Sequence, residues 1–402
     1  GVSVVARCLG RSRVRLRLRG VSCADRGLSA LVQARASINE LDIASNPISA
    51  SGIAGLCSSV CLSPRWRALK LSHLTALDLS RVADDLGTHL AAPLVEAVRS
   101  GGLVELECNG NFLGDRCAAR LAGAMADSEH SLERLGLSGT ACGSQCLRGL
   151  YEAFQKESTM SYACGLRVLE LENNALDDAS ASFLAECITT SLRLNRLMLA
   201  RNLITCRGAA ALSCGLTQQR QRRVLPPWCG QAVAVVELDL SMNPVGDEGA
   251  EALAQAATAC TMDLPARRFQ APWGLERLHL ADTLVGSRGR GALRGAVASR
   301  AAFADAATHL LETSPDRTEV LRRLADQGLR APAGLHVYGL ALDDEAAAAL
   351  RMSATLRLEA MWPLADAKDD SVSPDCPVDV SNTMPDTGRG FIVDMASAEV
   401  GV

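Results

Sequence analysis

Apolar and polar residues alternate in a fixed order in the segment 235–253, and the order combines two structural periods. Apolar residues occupy its first, fourth, sixth and eleventh positions, and Asn243 occupies the ninth. Leu238 and Leu240 alternate with polar neighbours, which predicts a short strand with one buried face. From Gly246 onwards, acidic residues followed by small and apolar ones predict the start of a helix. Asn243 lies between the two elements, where its amide can bond the backbone groups that a turn leaves unpaired.

The same eleven-position motif recurs along most of the chain. Its ninth position is occupied in turn by Val21, Asn46, Val82, Asn111, Thr140, Asn174, Asn202, Asn243, Thr283 and Leu340. Uninterrupted steps span about 28 or 29 residues, as from Asn174 to Asn202, and the longer steps carry insertions. One unit cannot bury its apolar face alone, so the units must stack. We therefore predict an α/β solenoid of about ten units.

The order L-x-x-L-x-L-x-x-N-x-L is that of leucine-rich repeats. The segments 238–250 and 197–209 resemble the repeats of ribonuclease-inhibitor-like proteins, of NOD-like receptors of the CARD-containing type and of Ran GTPase-activating proteins. The resemblance implies a curved horseshoe with a parallel sheet on its concave face and helices on its convex face. In NOD-like receptors such repeats sense ligands beside a nucleotide-binding domain. No Lys follows a Gly here, which excludes a Walker A loop, so the resemblance implies only an interaction role.

The repeat domain is predicted over residues 10–362. Insertions interrupt it near 57–72, 214–233, 260–274 and 286–331. In the last of these, Gly286–Gly291 predicts a turn, followed by helices near 292–312 and 316–328. Residues 363–402 are rich in acidic residues and prolines, so we expect a disordered tail. Its apolar triplet Phe391–Val393 is either a short docking motif or without function.

Composition narrows the class of protein. A net charge of −4 and 3% aromatic residues argue against nucleic-acid binding. No run of eighteen apolar residues predicts a membrane span. Several cysteines, such as Cys23, Cys108 and Cys142, occupy apolar motif positions, which favours a reducing, cytoplasmic setting over disulfides. No His accompanies the closely spaced cysteine pairs, so we predict neither zinc nor another cofactor. The chain does not begin with Met, and we expect it to be part of a longer protein.

Charged side chains recur at motif positions 3 and 5, which face the open side of the predicted sheet. Together with Glu172 at position 7, they form a candidate protein-binding strip: Glu40, Asp42, Asp78, Glu105, Glu107, Arg134, Glu170, Glu172, Arg196, Glu237, Asp239 and Arg277. His279 and His336 are also assigned to position 5. The strip is interpreted in two ways. Either its opposite charges neutralise one another as solvated surface, or its carboxylates bind a partner with a basic surface.

Two tryptophans, Trp228 and Trp273, follow prolines in the insertions. Tryptophan is enriched at interaction hot spots, so both are candidate loop anchors for a partner. The alternative is that each covers a small core within its own insertion.

No catalytic motif is present, and we predict that the chain is not an enzyme. The favoured hypothesis is an intracellular interaction module or scaffold that binds a protein on its concave face. A second is a GTPase-activating protein resembling the Ran activators, acting on a small GTPase. A third is a structural subunit of a large assembly, for example a ciliary one.

Overall fold

A parallel sheet of eleven strands organises the protein. The computed structural model describes residues 13–33, 37–60, 76–78, 91–99, 103–126, 132–159, 165–191, 193–221, 235–258, 261–263, 268–270, 275–313, 336–338 and 391–394. Its strands are β1 (Arg13–Arg17), β2 (Ser37–Asp42), β3 (Ala76–Asp78), β4 (Glu105–Glu107), β5 (Arg134–Gly136), β6 (Val168–Glu170), β7 (Arg196–Met198), β8 (Glu237–Asp239), β9 (Thr261–Asp263), β10 (Arg268–Gln270), β11 (Arg277–His279), β12 (His336–Tyr338) and β13 (Phe391–Asp394). The sheet order is β12-β11-β8-β7-β6-β5-β4-β3-β2-β1-β13. From β1 to β12, neighbouring strands are thus successive motif strands, as in a solenoid, and β13 pairs with the outer edge of β1.

Helices follow most of these strands. They are α1 (Asp25–Gln33), α2 (Ala50–Val60), α3 (Ala91–Arg99), α4 (Asp115–Ala126), α5 (Ser144–Thr159), α6 (Asp178–Thr190), α7 (Cys206–Gln221), α8 (Asp247–Thr258) and α9 (Ser287–Thr313). Each packs against the helix of the next unit. The chain is therefore an α/β repeat solenoid with its sheet on one side and its helices on the other.

Strand register confirms the predicted alignment of the central units. Leu106, Leu135 and Leu169 pair in succession across β4, β5 and β6, and the same row continues through Leu197 and Leu238. All five side chains are fully buried. Because this row holds motif position 4, positions 3 and 5 on either side of it must face away from the core. The predicted core cysteines Cys23, Cys108 and Cys142 are also buried.

A second ladder links the helices through aspartates. Asp178 at the start of α6 accepts hydrogen bonds from the backbone N–H groups of Thr205 (2.8 Å) and Gly208 (3.0 Å) at the start of α7. Asp115 and Asp247 bond the beginnings of α5 and α9 in the same way. These N–H groups have no partner within their own helix, and the positive helix end favours a carboxylate. In these three cases one unit therefore caps the helix of the next.

The last insertion departs from its prediction. Helix α9 begins at Ser287 and runs to Thr313, so the predicted turn at Gly286–Gly291 is wrong for all but its first residue. The glycine there serves close packing, because a Cβ on Gly289 would come within 2.8 Å of Asp247 Oδ1. In the insertion near 260–274, β9 and β10 form an antiparallel hairpin. The predicted helix near 316–328 lies outside the described residues.

The last motif strand is displaced by two residues from the predicted alignment. Val337 pairs with Leu278, His336 with Arg277 and Tyr338 with His279. Tyr338 therefore occupies position 5, and the assignment of His336 to that position is wrong. Side chains alternate with a period of two, so a two-residue shift keeps the same faces in and out, and the apolar pattern alone does not distinguish the two alignments.

Four residues of the predicted disordered tail form a strand. Phe391–Asp394 (β13) pairs in parallel with β1, with Val14 opposite Phe391 and Leu16 opposite Val393. Ile392 and Val393 are β-branched and favour extended structure. For these four residues the expectation of disorder is incorrect, because β1 offers them an open sheet edge.

Candidate protein-binding face

Positions 3 and 5 of neighbouring strands bring most of the predicted strip together on one face. Exposure ranges from Glu105, which is exposed, to Glu237, which is buried. The side chain of Asp78 and the loop residues Trp228 and Trp273 lie outside the described residues, so their roles remain predictions. Most of the described members lie in small clusters of opposite charge along the sheet.

Arg134 connects two carboxylates in the middle of the strip. Its Nε bonds Glu107 Oε1 on β4, and its Nη2 bonds Glu170 Oε1 on β6. Asn109 Nδ2 bridges the other two oxygens, at 2.7 Å from Glu107 Oε2 and 3.0 Å from Glu170 Oε2. Burial lowers the pKa of Arg134, but its hydrogen bond to Glu107 and the nearby carboxylates outweigh burial and raise that pKa. One guanidinium is therefore shared between two of the predicted binding carboxylates and offsets the charge of only one of them.

Gly136 makes this arrangement possible. It occupies position 5 on β5, between Glu107 and Glu170 on the flanking strands. A Cβ at Gly136 would overlap Glu107 Oε2 and come within 2.8 Å of both side-chain heteroatoms of Asn109. In the sequence it is only an interruption of the acidic column. In the structure, its lack of a side chain leaves the room in which the two carboxylates and Arg134 come into contact.

Glu237 gathers the end of the strip. Its side chain is 7% exposed and lies between Arg196 on β7 and Arg277 on β11. Glu237 Oε2 is 2.7 Å from Arg196 Nε and 3.2 Å from Arg277 Nε, and Oε1 is 3.2 Å from His279 Nε2. Burial raises the pKa of Glu237, but Arg196, Arg277 and His279 outweigh burial and lower that pKa overall. The site is thus a buried anion enclosed by two arginines.

Tyr338 extends this cluster toward solvent. Its ring stacks on that of His279 with centroids 4.6 Å apart and planes inclined by 14°. Tyr338 is 43% exposed. The stacking of Tyr338 on His279 could not be predicted from an alignment that places His336 at position 5. It follows once β12 is aligned with Tyr338 at that position.

The first two units carry smaller ion pairs. Arg15 Nε lies 2.8 Å from Glu40 Oε1, and Arg19 Nε lies 3.6 Å from Asp42 Oδ2. Arg15 and Arg19, at 54% and 58% exposed, are more exposed than Arg196 and Arg277. Exposed pairs contribute little to stability, about 0–1 kcal/mol.

Comparison with known proteins identifies the architecture. The family model "Leucine Rich repeat" matches residues 36–57 and 235–254. The chain is 29% identical over 231 residues to ribonuclease inhibitor of Sus scrofa, covering 57% of this chain and 44% of that protein. It is 33% identical over 170 residues to NACHT, LRR and PYD domains-containing protein 5 of Bos taurus, covering 42% of this chain and 15% of that protein. The chain carries leucine-rich repeats and is similar to ribonuclease-inhibitor-like proteins over part of its length. It spans less than half the length of either relative.

Among solved structures, the tropomodulin C-terminal domain of Caenorhabditis elegans matches this leucine-rich-repeat protein with a TM-score of 0.30 and 16% identity. The match covers 52% of this chain and 92% of that domain. Leucine-rich-repeat proteins are generally protein-interaction modules, and ribonuclease-inhibitor-like ones are typically non-catalytic.

An acidic patch remains in the middle of the leucine-rich-repeat sheet. It consists of Glu170, Glu172 and Asp239. Partial burial raises the pKa of Glu172, and the carboxylates of Asp239 and Glu170 raise it further, against a smaller opposing effect of Arg201. Unlike Glu237, Glu172 thus lies where neighbouring charges disfavour its ionised form. A cation placed there would relieve this repulsion.

An apolar rim borders the same region and was missed in the sequence. Position 10 of three adjacent units is occupied by Leu203, Pro244 and Leu284. Leu203 is 58% exposed and Leu284 71%, and Pro244 between them is also exposed. Backbone hydrogen bonds from Leu203 and Leu284 to the preceding unit hold the turns in place. The available signal was the apolar character of position 10, which the repeat core does not require.

Within the described part of the chain, no cluster of His, Cys, Asp or Glu has the composition of a metal site. No helix in that part combines the length and apolar character needed to span a membrane.

Proposed function

We propose that this protein is a non-catalytic interaction module, and that its partner lies across the concave sheet and the apolar rim. The observation that carries the proposal is the apolar rim itself. Among the described residues the repeat buries nearly all of its large apolar side chains, yet Leu203 and Leu284 stand exposed in the turns on either side of the unit that carries Pro244. Contiguous exposed apolar surface on an otherwise polar face is typical of protein-binding sites.

The charges next to the rim support a partner with a basic group. The acidic patch holds Glu172 beside Asp239 and Glu170, where a cationic side chain from a partner would be favoured. The relatives support a binding role of this general kind, since ribonuclease inhibitor is by its name an inhibitor of other proteins. A cytoplasmic partner fits the buried cysteine thiols of the repeat core, such as Cys23, Cys142 and Cys146.

Cross-linking in cell lysate, followed by quantitative mass spectrometry, tests this proposal. The rim variant carries Leu203→Ser and Leu284→Ser, and the control carries Arg116→Ser and Arg148→Ser on the exposed surface of α4 and α5. We expect a defined set of proteins to be lost by at least tenfold from the rim variant and retained by the control. Equal recovery by both variants contradicts the proposal.

A second variant tests the sign of the partner's charge. Glu172→Gln with Asp239→Asn removes two negative charges from the acidic patch. If the partner is basic there, its capture falls severalfold and becomes less sensitive to salt. Capture that is stronger with these changes contradicts a basic partner while leaving the interaction role intact.

A further inference from the structure

The Arg196–Glu237–Arg277 cluster has the geometry of a preformed anion site. Arg196 and Arg277 stand on β7 and β11, with β8 between them. Both Nε atoms contact the same oxygen, Glu237 Oε2, at 2.7 and 3.2 Å. The two Nε atoms therefore lie no further apart than the sum of these distances. Two cations this close are held together by one carboxylate.

The carboxylate itself is withdrawn from solvent while the arginines are not. Glu237 has a side-chain exposure of 7%, against 41% for Arg196 and 44% for Arg277. Arg196 Nε, the atom that contacts Glu237, is buried, so the solvent-exposed area of the Arg196 side chain belongs to its other atoms. A guanidinium has five N–H donors in a planar fork, and the close contact of each arginine with Glu237 is made through Nε, the inner end of that fork. An approaching ligand therefore meets guanidinium rather than carboxylate.

The internal contact is also incomplete as a hydrogen bond. Among the described residues, Arg196 Nε and Glu237 Oε2 are the buried side-chain polar atoms without a hydrogen-bond partner, although they are 2.7 Å apart. The short distance shows that the failure is one of direction: the N–H does not point at the oxygen. The pair is thus held chiefly by charge, and Arg277 Nε contacts the same oxygen at 3.2 Å.

The surroundings restrict the size of the ligand. The stacked rings of His279 and Tyr338 lie on the β12 side of the cluster. Asp239 occupies position 5 of β8, beside His279. This carboxylate disfavours an extended polyanion, so the site suits a single oxyanion placed over the two arginines.

We propose that Arg196 and Arg277 together bind one oxyanion carried on a peptide partner, a carboxylate or a phosphoryl group, with Glu237 as the residue that positions them. The inference rests on the proposed function, since it names a feature of the same partner. The cluster carries two arginines against one glutamate, so it retains a net positive charge for the ligand. Next to the acidic patch, it selects a partner that presents an acidic group beside a basic one.

Nuclear magnetic resonance of the arginine Nε–Hε groups tests the site directly. The probes are inorganic phosphate and three blocked tripeptides, Gly-Glu-Gly, Gly-phosphoserine-Gly and Gly-Gln-Gly. We expect the Arg196 and Arg277 signals to shift saturably with at least one oxyanion and not with the glutamine peptide. The carboxylate and phosphoryl peptides distinguish the two sources of the oxyanion. A wild-type protein that shows no saturable shift with any oxyanion overturns the proposal.

Matched variants locate the binding. Arg277→Gln should weaken the affinity at least tenfold, whereas Arg120→Gln, an exposed arginine on α4, should leave it unchanged. Equal losses in the two variants overturn the site. Circular dichroism confirms that each variant is folded.

Glu237→Gln separates positioning from simple charge. Removing a negative charge should tighten anion binding if Glu237 acts only through its field. If it positions the arginines, affinity should fall about tenfold in spite of the gained positive charge, and Glu237→Asp should recover part of it. Tighter binding by Glu237→Gln overturns the positioning role. If the site fails these tests while the rim variant still loses its partner, the proposed function stands without it.

Discussion

Asn202 accepts a hydrogen bond from the backbone N–H of Asn174, the residue that holds the same motif position one unit earlier, at 2.9 Å. The same oxygen accepts from Leu176 N–H at 3.0 Å. Its amide nitrogen donates to the carbonyl oxygens of Leu171 (3.0 Å) and Leu199 (2.9 Å). One side chain thus satisfies buried backbone groups of two successive units, which explains the preference for asparagine at position 9.

Asn202→Ala should lower the free energy of unfolding by about 3 kcal/mol, because several buried backbone groups lose their partners at once. Urea denaturation measures the change. Asn195→Ala is the control, because Asn195 lies in the same unit. Within the described residues, Asn195 forms hydrogen bonds through its backbone. A loss no larger than that of the control would show that the ladder of asparagines is not what joins the units.

Much of the fold was predictable because each repeat unit carries the same pattern of apolar residues. A residue such as Leu238 is recognised as core through its equivalents Leu197 and Leu169, and errors in one unit are corrected by the others. The prediction was wrong where a unit lacks residues equivalent to those of the other units. The last unit has no asparagine at position 9, and the predicted register of its strand was wrong by two residues.

The candidate site was predictable only as a set of positions. The pattern places Glu107, Arg134 and Glu170 on one face, but it does not show that Arg134 reaches diagonally to both carboxylates across Gly136. Such contacts depend on side-chain reach between strands about 5 Å apart, which the motif spacing does not encode. The exposure of Leu203 and Leu284 depends likewise on the course of the turn rather than on residue type.

Gly136→Ala should destabilise the protein by about 1–3 kcal/mol, because the new methyl group would displace the Glu107 carboxylate and the Asn109 amide from the hydrogen bonds that they make with each other and with Arg134. Gly123→Ala is its matched control. A Cβ at Gly123, within α4, meets no atom within 4 Å, so there the change should be neutral or stabilise by up to about 1 kcal/mol. Thermal unfolding of both variants gives the comparison. Similar effects in the two would contradict the close packing at Gly136.

Removing residues 387–402 should expose the edge of β1, because β13 pairs with it through four residues. An unpaired edge strand offers a template for another chain. We expect faster hydrogen exchange at the amides of β1 and an average mass that rises with protein concentration in light scattering. Removing only residues 395–402 retains β13 and is the control. Unchanged exchange in the longer deletion would show that β13 does not protect the edge in solution.

Glu172→Gln should stabilise the protein at pH 7 by roughly 0.5–1 kcal/mol, since it removes a carboxylate that its surroundings disfavour. Because the pKa of Glu172 is raised on folding, the folded state binds more protons than the unfolded state between the ordinary and the raised pKa. In the wild type, this residue's contribution therefore makes stability fall as pH rises through that window. Glu237 acts in the opposite sense, because its pKa is lowered on folding. Its contribution to stability is present above the ordinary carboxyl pKa and is lost as the pH falls through the lowered pKa. Urea denaturation of wild type and Glu172→Gln between pH 4 and pH 8 should give two curves that converge at low pH and separate as the window is crossed. A constant difference between the curves would mean that Gln acts through packing rather than through charge.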